Sequence, residues 1–300
     1  MRQALFVINP AVVRRLSALL THCYQAAETH GWQAELIVTQ AGEGSAELHG
    51  HLSWYLSQPG DKLVVSVGGD GTVRACAHDL AGTATPLAVV PRGTANLFAH
   101  ALGVPRSLKA ALAIAFGDHE RQVDLGFSQG QPFVAMAGIG IDAAVVESTP
   151  RWFKQNLGWL GYALAALPHL ADPAHELSVS LDGGEPLERR GHAVVVGNVG
   201  ILPGGFTLLP GARLDDGLLE VGVLAPYNLA GWLPVARSAV TGRPTAGGRV
   251  EHLRAARVEI TSFSPLPRQF DGDVVGPSRS LSVCVRRKAL AVRAPAGPLG

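Results

Sequence analysis

The sequence predicts a two-domain protein, in which an α/β domain with a parallel sheet precedes a domain built mainly from antiparallel strands. Up to about residue 126, short apolar runs alternate with segments of helical spacing, which is typical of a parallel sheet covered by helices. Beyond that point, strand candidates follow one another with turn signals between them, as in antiparallel sheets. Hydrophobic residues make up 47% and charged residues 16% of the chain, so a folded globular protein is expected.

The first domain is predicted to alternate strands and helices. Its predicted strands are Ala4–Ile8, a compact apolar run that ends at Asn9-Pro10, and Ala34–Val38, Leu63–Val67 and Leu87–Val90. Its helices place apolar residues at helical spacing, and they are Val12–His30, Ser45–Leu56, Val73–Leu80, Asn96–Ala101 and Leu108–Phe116. Because ligands bind at the carboxyl ends of parallel strands, the loops that follow these strands are the expected site.

The second domain is predicted to be a series of strands interrupted by two helices. The strands are Phe133–Ala137, Leu177–Leu181, Ala193–Val196, Leu218–Val223, Val258–Thr261 and Leu281–Val285. The tail after this domain contains a further predicted strand, Leu290–Arg293. The helices are Trp152–Leu167 and Leu229–Val240. The first of these helices is rich in aromatic residues, which favours either core packing over the sheet or contact with a lipid interface.

Composition excludes several classes of protein. The formal net charge of +1 argues against a nucleic-acid binder. The three cysteines, Cys23, Cys76 and Cys284, fit neither a disulfide framework nor a zinc site. The histidines, among them His49 and His51, show no metal-ligand spacing and receive no role. Because no secretory signal is found and no apolar stretch reaches the ~18 residues of a spanning helix, a cytoplasmic protein is expected.

The strongest motif is Gly68-Gly69-Asp70-Gly71-Thr72, which follows a predicted strand and precedes a predicted helix. Successive glycines let backbone amides approach a phosphate, and the helix adds its N-terminal N–H groups. Thr72 is predicted to cap that helix. Asp70 would repel a phosphate, so its predicted role is to hold Mg²⁺. The alternative for this motif alone is a tight turn capped by the aspartate.

A second glycine turn, Pro91-Arg92-Gly93-Thr94-Ala95-Asn96, follows the next predicted strand. Adjacent parallel strands would place it beside the first turn. Thr94 and Asn96 could donate to phosphate or ribose oxygens, whereas an N-cap by Thr94 is the alternative. Two such turns after neighbouring strands favour nucleotide binding.

The two glycine motifs together resemble the catalytic domain of the diacylglycerol kinase family, which includes sphingosine and ceramide kinases and bacterial lipid kinases. Further motifs resemble the family in order along nearly the whole chain, and they are Asn9-Pro10, Leu157–Ala163, Gly197-Asn198, Gly204-Gly205, Pro210–Ala212, Asp215–Leu219 and Asp271–Asp273. Three positions depart from the family pattern. Ala11 to Arg15 replaces a small residue and glycine after Asn9-Pro10, Arg74 replaces an asparagine, and Asp273 replaces a glutamate.

The resemblance implies a Rossmann-like domain over residues 1–126, joined by residues 289–300, and a C-terminal β-sandwich over residues 127–288, with the active site in the cleft between them. It also implies ATP as the donor, Mg²⁺ as the cofactor and a set of site residues. The implied ATP contacts are Asn9, Thr39, Gly68, Gly69, Asp70, Gly71, Thr72, Gly93, Thr94 and Asn96. The implied metal ligands are the Asp216 side chain and the carbonyl oxygens of Arg213 and Leu218. The implied general base is Asp273, with Asp271 beside it and Asp70 as a further catalytic residue.

The predicted function is phosphorylation of a hydroxyl group on a diacylglycerol-like lipid. The alternatives are an NAD kinase-like enzyme, which shares GGDG, and a non-catalytic nucleotide- or lipid-binding protein. The Gly-Ser-Thr-Ala-Tyr segment of NAD kinases is absent from the sequence. The expected partners are ATP, the lipid alcohol, a membrane surface contacted transiently at its inner face, and a second copy in a homodimer.

Overall fold

A computed structural model describes residues 2–13, 15–39, 46–140, 174–202, 206–225 and 250–297. The chain divides into two compact units. The first is formed by Met1–Leu125 with Arg287–Gly300, and the second by Gly126–Arg286. Within the described ranges, no helix has the length and apolar character needed to cross a membrane.

Some predicted features lie outside the described residues. These are the helices Trp152–Leu167 and Leu229–Val240 and the motif segments Leu157–Ala163 and Gly204-Gly205.

The first unit is built on parallel strands, as predicted. The strands are β1 (Arg2–Ile8), β2 (Gln33–Val38), β3 (Asp61–Gly68) and β4 (Leu87–Pro91). They lie in the order β2-β1-β3-β4. Ile8 is beside both Val38 and Val67, and Gly68 is beside Pro91, so the strands end together at one edge. β4 is buried along its whole length, which explains why its sequence is an unbroken apolar run.

Helices connect these strands in the predicted order. The described ones are a 3-10 turn (Pro10–Val12), α1 (Leu16–Thr29), α2 (Ala46–Ser57), α3 (Asp70–Leu80), α4 (Leu97–Ala101) and α5 (Leu108–Ala115). α1 buries Leu19, Cys23 and Ala27, which are four residues apart and share one face.

The predicted start of the first helix at Val12 is wrong. Pro10 opens a 3-10 turn instead, and the side chain of Asn9 caps that turn by accepting the N–H of Ala11 at 3.0 Å. Val13 is already extended, so the chain leaves helical geometry before α1 begins at Leu16.

The remaining strands are numbered onward along the chain. They are β5 (Glu120–Ser128), β6 (Gln131–Phe133), β7 (Met136–Gly140), β8 (His175–Leu181), β9 (Leu187–Gly191), β10 (Ala193–Gly197), β11 (Ile201–Leu202), β12 (Phe206–Thr207), β13 (Leu219–Leu224), β14 (Val250–Ala255), β15 (Arg257–Leu266), β16 (Arg268–Phe270), β17 (Asp273–Val274) and β18 (Ser278–Arg293).

Two antiparallel sheets share the core of the second unit. One has the order β14-β13-β10-β7-β16-β17, and the other joins β18, β15, β8 and β9. Ile139 and Val194 of the first sheet belong to the same buried cluster as Val179 and Ile260 of the second. This arrangement confirms the predicted β-sandwich.

The long strand β18 belongs to both units. Its Cys284 is beside Arg257 of β15, whereas its Val292 is beside Leu87 of β4. The predicted strands Leu281–Val285 and Leu290–Arg293 are therefore parts of one strand.

The predicted single strand Phe133–Ala137 is divided between two strands. β6 ends at Phe133 and β7 begins at Met136. The chain leaves the ladder between them because the N–H groups of Val134 and Ala135 donate to the carboxylate of Asp271, at 2.9 and 2.8 Å.

Candidate nucleotide and metal sites

The loops that follow the parallel strands of the first unit meet at one edge of the sheet. Thr39, after β2, donates its N–H to the last carbonyl of β1 at 2.8 Å, and Asn9, after β1, donates its N–H to Val67 at 3.1 Å. Arg92, after β4, donates its N–H to Gly68 at 2.8 Å. Because β2 and β3 flank β1 on opposite sides, this edge contains the reversal of strand order at which α/β sheets bind ligands.

The two glycine loops touch through their backbones. The carbonyl of Gly68 accepts the N–H of Gly93 at 3.1 Å. A Cβ on Gly93 would lie 2.4 Å from the Cα of Gly69, and one on Gly68 would lie 2.3 Å from Oγ1 of Thr72. Any side chain at Gly68 or Gly93 would therefore clash with its neighbours. Gly71, in the same loop as Gly68, is exposed. Backbone amides that are free of side-chain obstruction are what a phosphate-binding loop requires.

Asp70 joins the first loop to the helix that follows the second loop. Its Oδ2 accepts the N–H of Leu97 at 3.0 Å and its Oδ1 accepts the N–H of Phe98 at 3.1 Å, which are the first amides of α4. Burial raises the pKa of Asp70, and the backbone N–H groups of Leu97 and Phe98 oppose that rise. This geometry supports a structural role, and the predicted contact with Mg²⁺ stays a prediction.

The predicted N-cap role of Thr72 is wrong. α3 begins at Asp70 with Gly69 as its N-cap residue, so Thr72 lies within the first turn and is buried. Its N–H donates to the carbonyl of Gly69 at 3.0 Å. Thr72 therefore packs beneath Gly68 and shapes the loop from inside.

Asn96 holds the second loop in shape. Its φ of 52° is left-handed, and its side chain is buried. Oδ1 accepts the N–H of Gly93 at 2.8 Å, and Nδ2 donates to the carbonyl of Gly93 at 2.7 Å. Asn96 thus uses its amide within the loop, whereas Thr94 is exposed and open to a ligand. The helix after this loop takes Asn96, not Thr94, as its N-cap residue.

Sequence reasoning assigned no role to two arginines at the second loop. Nη1 of Arg92 donates to the carbonyls of Pro91 and Arg106, at 3.0 and 2.8 Å. Nη2 of Arg106 donates to the carbonyl of Gly93 at 3.0 Å. Burial lowers the pKa of Arg92, and the charge of Arg106 lowers it further. Arg92 lies inside the predicted loop and could have been found there, but Arg106 belongs to no motif.

Asp271-Gly272 forms the turn of a hairpin in the second unit. Both residues have positive φ, 49° and 85°, and Phe270 pairs with Asp273 across the turn. This is the two-residue Asp-Gly hairpin geometry. The Asp271 carboxylate also accepts three backbone N–H groups, from Val134, Ala135 and Met136, at 2.8–3.1 Å. Asp271 is therefore an anchor, whereas Asp273 is exposed.

The predicted metal ligand Asp216 lies in the turn before β13. Its Oδ1 accepts the N–H of Leu218 at 3.1 Å, and its Oδ2 is paired with the guanidinium of Arg254. The Arg213 side chain is exposed and lies near Asp215, at 3.6 Å. A carboxylate and two carbonyls are the hard oxygen donors that Mg²⁺ prefers, so the residue types fit the ion. Arg254 already neutralises the Asp216 carboxylate, so an ion would have to share the carboxylate with Arg254 or displace the guanidinium.

Together with the family matches given next, the parallel α/β unit with two touching glycine loops and the antiparallel sandwich identify a kinase-like enzyme. Residues 3–128 match the model of the diacylglycerol kinase catalytic domain. Residues 135–294 match the YegS C-terminal NAD kinase beta sandwich-like domain. The chain belongs to the diacylglycerol kinase family of lipid kinase-like proteins.

Curated relatives support this assignment. A probable lipid kinase, YegS-like, of Pseudomonas syringae is 33% identical over 89% of this chain and 85% of its own length. A diacylglycerol kinase of Bacillus subtilis is 29% identical over 92% of this chain and 91% of its own. An uncharacterized Synechocystis protein is longer, since the 29% identical match covers 79% of this chain but 55% of that protein.

Solved structures agree with the fold. A diacylglycerol kinase of Bacillus anthracis is 23% identical, covers 98% of this chain and 97% of its own, and has a TM-score of 0.78. An NAD kinase of Archaeoglobus fulgidus in complex with ATP is more distant. It is 13% identical with a TM-score of 0.56, over 99% of this chain and 94% of its own.

Proposed function

We propose that this protein is an ATP- and Mg²⁺-dependent lipid kinase that phosphorylates a hydroxyl group of a diacylglycerol-like lipid. The observation that carries the proposal is the backbone contact between the Gly68-Gly69 loop and Gly93, at the carboxyl edge of a parallel sheet. Family membership and relatives named as lipid and diacylglycerol kinases support the choice of acceptor. A lipid acceptor also implies that the enzyme contacts a membrane surface at least transiently. Homodimerisation stays a prediction.

ATP binding is proposed to use backbone more than side chains. The loop amides around Gly69 and Gly71 and the N-terminus of α3 would hold the phosphates, and exposed Thr94 would donate a hydroxyl. The guanidinium groups of Arg92 and Arg106 would supply positive charge beside them. When bound, Mg²⁺ neutralises charge that develops on the phosphoryl oxygens. Asn9, after β1, and Thr39, after β2, would contact ATP at the same edge of the sheet.

Proton removal from the acceptor hydroxyl is assigned to Asp273. Asp273 is exposed at the start of β17, and a carboxylate in reach of the hydroxyl can orient it and accept its proton. Asp271 is two residues away but is engaged by three backbone N–H groups. We therefore give Asp271 a positioning role, since it fixes the turn that carries Asp273.

The test is transfer of labelled phosphate from ATP to lipids in mixed micelles containing Mg²⁺. The panel contains diacylglycerol, monoacylglycerol, ceramide, sphingosine and phosphatidylglycerol, with NAD as a separate acceptor. Wild type is expected to label diacylglycerol or a close analogue, and Asp273→Asn to lose at least about 100-fold in rate. Glu185→Ala, at an exposed residue between β8 and β9, is the matched control and should keep full rate.

Each other outcome changes the proposal in a defined way. Undiminished rate in Asp273→Asn would remove the base assignment and keep the kinase. Labelled NADP with no labelled lipid would replace the proposal with NAD kinase activity. Bound ATP with no product on any acceptor would favour a non-catalytic binding protein.

A further inference from the structure

Two helices of the first unit bring together three side chains that the proposed kinase reaction does not use. His49 lies on α2, and His78 and Asp79 lie in the last turn of α3. Nδ1 of His49 is 2.6 Å from Oδ2 of Asp79, and Nδ1 of His78 is 3.4 Å from Oδ1 of the same carboxylate. The two imidazole rings are 4.5 Å apart. His49 and His78 are 29 residues apart, which is not a recognisable metal-ligand spacing, so only the fold reveals the cluster.

The cluster has the shape of a metal site. One ligand atom from each of the three residues lies within 4.8 Å of the others, the only such trio in the described part of the chain. Asp79 is 11% exposed, whereas His49 and His78 are 31% and 34% exposed. The carboxylate is thus largely desolvated, and the imidazoles leave a path for an ion and its water ligands.

The ligand chemistry selects the ion. Two imidazoles with one carboxylate suit zinc and similar transition metals, whereas Mg²⁺ and Ca²⁺ prefer oxygen ligands alone. Three protein ligands plus water complete a tetrahedral zinc site. The C-terminal end of α3 also carries partial negative charge, which favours a cation there.

Two of the three ligand pairs, His49–Asp79 at 2.6 Å and His78–Asp79 at 3.4 Å, are near the spacing that a tetrahedral ion requires. Ligands about 2.0 Å from a tetrahedral zinc ion lie about 3.3 Å from one another. His49 and Asp79 are at hydrogen-bond distance, 2.6 Å, so they would separate by about 0.7 Å as zinc replaces the shared proton. Side-chain rotation of the partly exposed His49 can provide that movement.

We propose that His49, His78 and Asp79 form a Zn²⁺ site that links α2 to α3. α3 begins at Asp70 of the GGDGT loop, so the ion would fix the far end of the helix that supports the predicted phosphate site. The site stabilises the first unit and is independent of the lipid acceptor.

The test uses the full chain, stripped with chelator and titrated with Zn²⁺ against a chromophoric competitor. Wild type is expected to bind one equivalent at this site. His49→Ala, His78→Ala and Asp79→Asn should each weaken that binding at least about tenfold. His51→Ala is the matched control, because His51 lies on the same helix and contacts Trp54 instead, at 5.7 Å between ring centroids. It should bind zinc like wild type.

Three further measurements separate binding from folding. Circular dichroism in chelator should show that the variants fold like wild type, and Zn²⁺ should raise the melting temperature of wild type and His51→Ala only. Co²⁺ should give visible absorption bands of a tetrahedral site in wild type that are absent in His49→Ala. Unchanged zinc affinity in the His49→Ala, His78→Ala double variant, or a loss in His51→Ala equal to that in His49→Ala, would overturn the proposal.

Discussion

The glycine loops of the first unit and the Asp-Gly-Asp hairpin of the second use their motif residues in opposite ways. In the glycine loops, Asp70 and Asn96 point inward and bond to backbone, so the ligand surface is backbone. In the hairpin, Asp271 is the inward anchor and Asp273 is left exposed. The same residue type in a motif can therefore contact a ligand or instead anchor the backbone that contacts it, and the motif alone does not distinguish the two roles.

The largest effect is expected from Gly93→Ala. Its Cβ would lie 2.4 Å from the Cα of Gly69, and backbone cannot yield as a flexible side chain can. The two loops must separate, so we expect a loss of about 3 kcal/mol in the free energy of unfolding and loss of ATP binding. Urea unfolding and nucleotide titration measure both.

Gly50→Ala is the control for this substitution. Gly50 lies in α2 and has no atom within 4 Å of an added Cβ, so alanine should leave stability unchanged or raise it by up to about 1 kcal/mol. If Gly93→Ala behaved like Gly50→Ala, the contact between the loops would not be essential.

Asp70→Asn is expected to cost about 2 kcal/mol of stability. An asparagine oxygen can accept one of the two N–H groups of Leu97 and Phe98, and its amide would face the other. Thermal unfolding of Asp70→Asn beside Asp118→Asn, at an exposed position, measures the difference. A structural role requires this loss of stability in the absence of nucleotide and metal.

The pH dependence of Asp70 gives an independent check. Because burial raises its pKa in the folded state, the folded protein binds more protons than the unfolded chain between the ordinary pKa of 3.8 and the raised value. The contribution of Asp70 to stability therefore falls as pH rises through that window. Asp70→Asn should show a shallower fall over the same range, and an identical slope would mean that Asp70 is not buried as described.

Paired asparagine variants distinguish the two aspartates of the hairpin. Asp271→Asn should lose about 1 to 2 kcal/mol, because the amide nitrogen cannot accept the N–H of Val134. Asp273→Asn is exposed and should change stability by less than about 0.5 kcal/mol while losing transfer rate. The free energy of unfolding and the turnover rate are measured on both variants. Asp271→Asn should lower the first, and Asp273→Asn should lower the second with little effect on the first. Equal stability losses would show that both carboxylates are structural.

The sequence predicted the parallel strands well because they are largely apolar, with Glu35 as the one charged residue within the predicted stretches. It missed β5, β9 and β14 because charged residues interrupt them, as in Leu187–Gly191 with Glu188, Arg189 and Arg190. It found the loops of the candidate site but misjudged how individual side chains are used. No local pattern encodes the tertiary contacts of these side chains. Asn96 bonds to Gly93 within its own loop, and Asp70 accepts an N–H group of α4 that lies 27 residues away.

The smallest effect is expected at Asp216, where the comparison extends to metal. Arg254→Ala removes a partly exposed ion pair, so stability without metal should fall by less than about 1 kcal/mol. The released Oδ2 then becomes available to Mg²⁺, so the variant should gain more thermal stability from added Mg²⁺ than wild type does. Arg213→Ala is the control, because the proposed ligand there is a carbonyl and its side chain is exposed. Equal Mg²⁺ responses in wild type and Arg254→Ala would mean that the guanidinium does not compete with an ion. If the response were then lost only in Asp216→Ala, the ion would bind at Asp216 while the pair with Arg254 stayed intact.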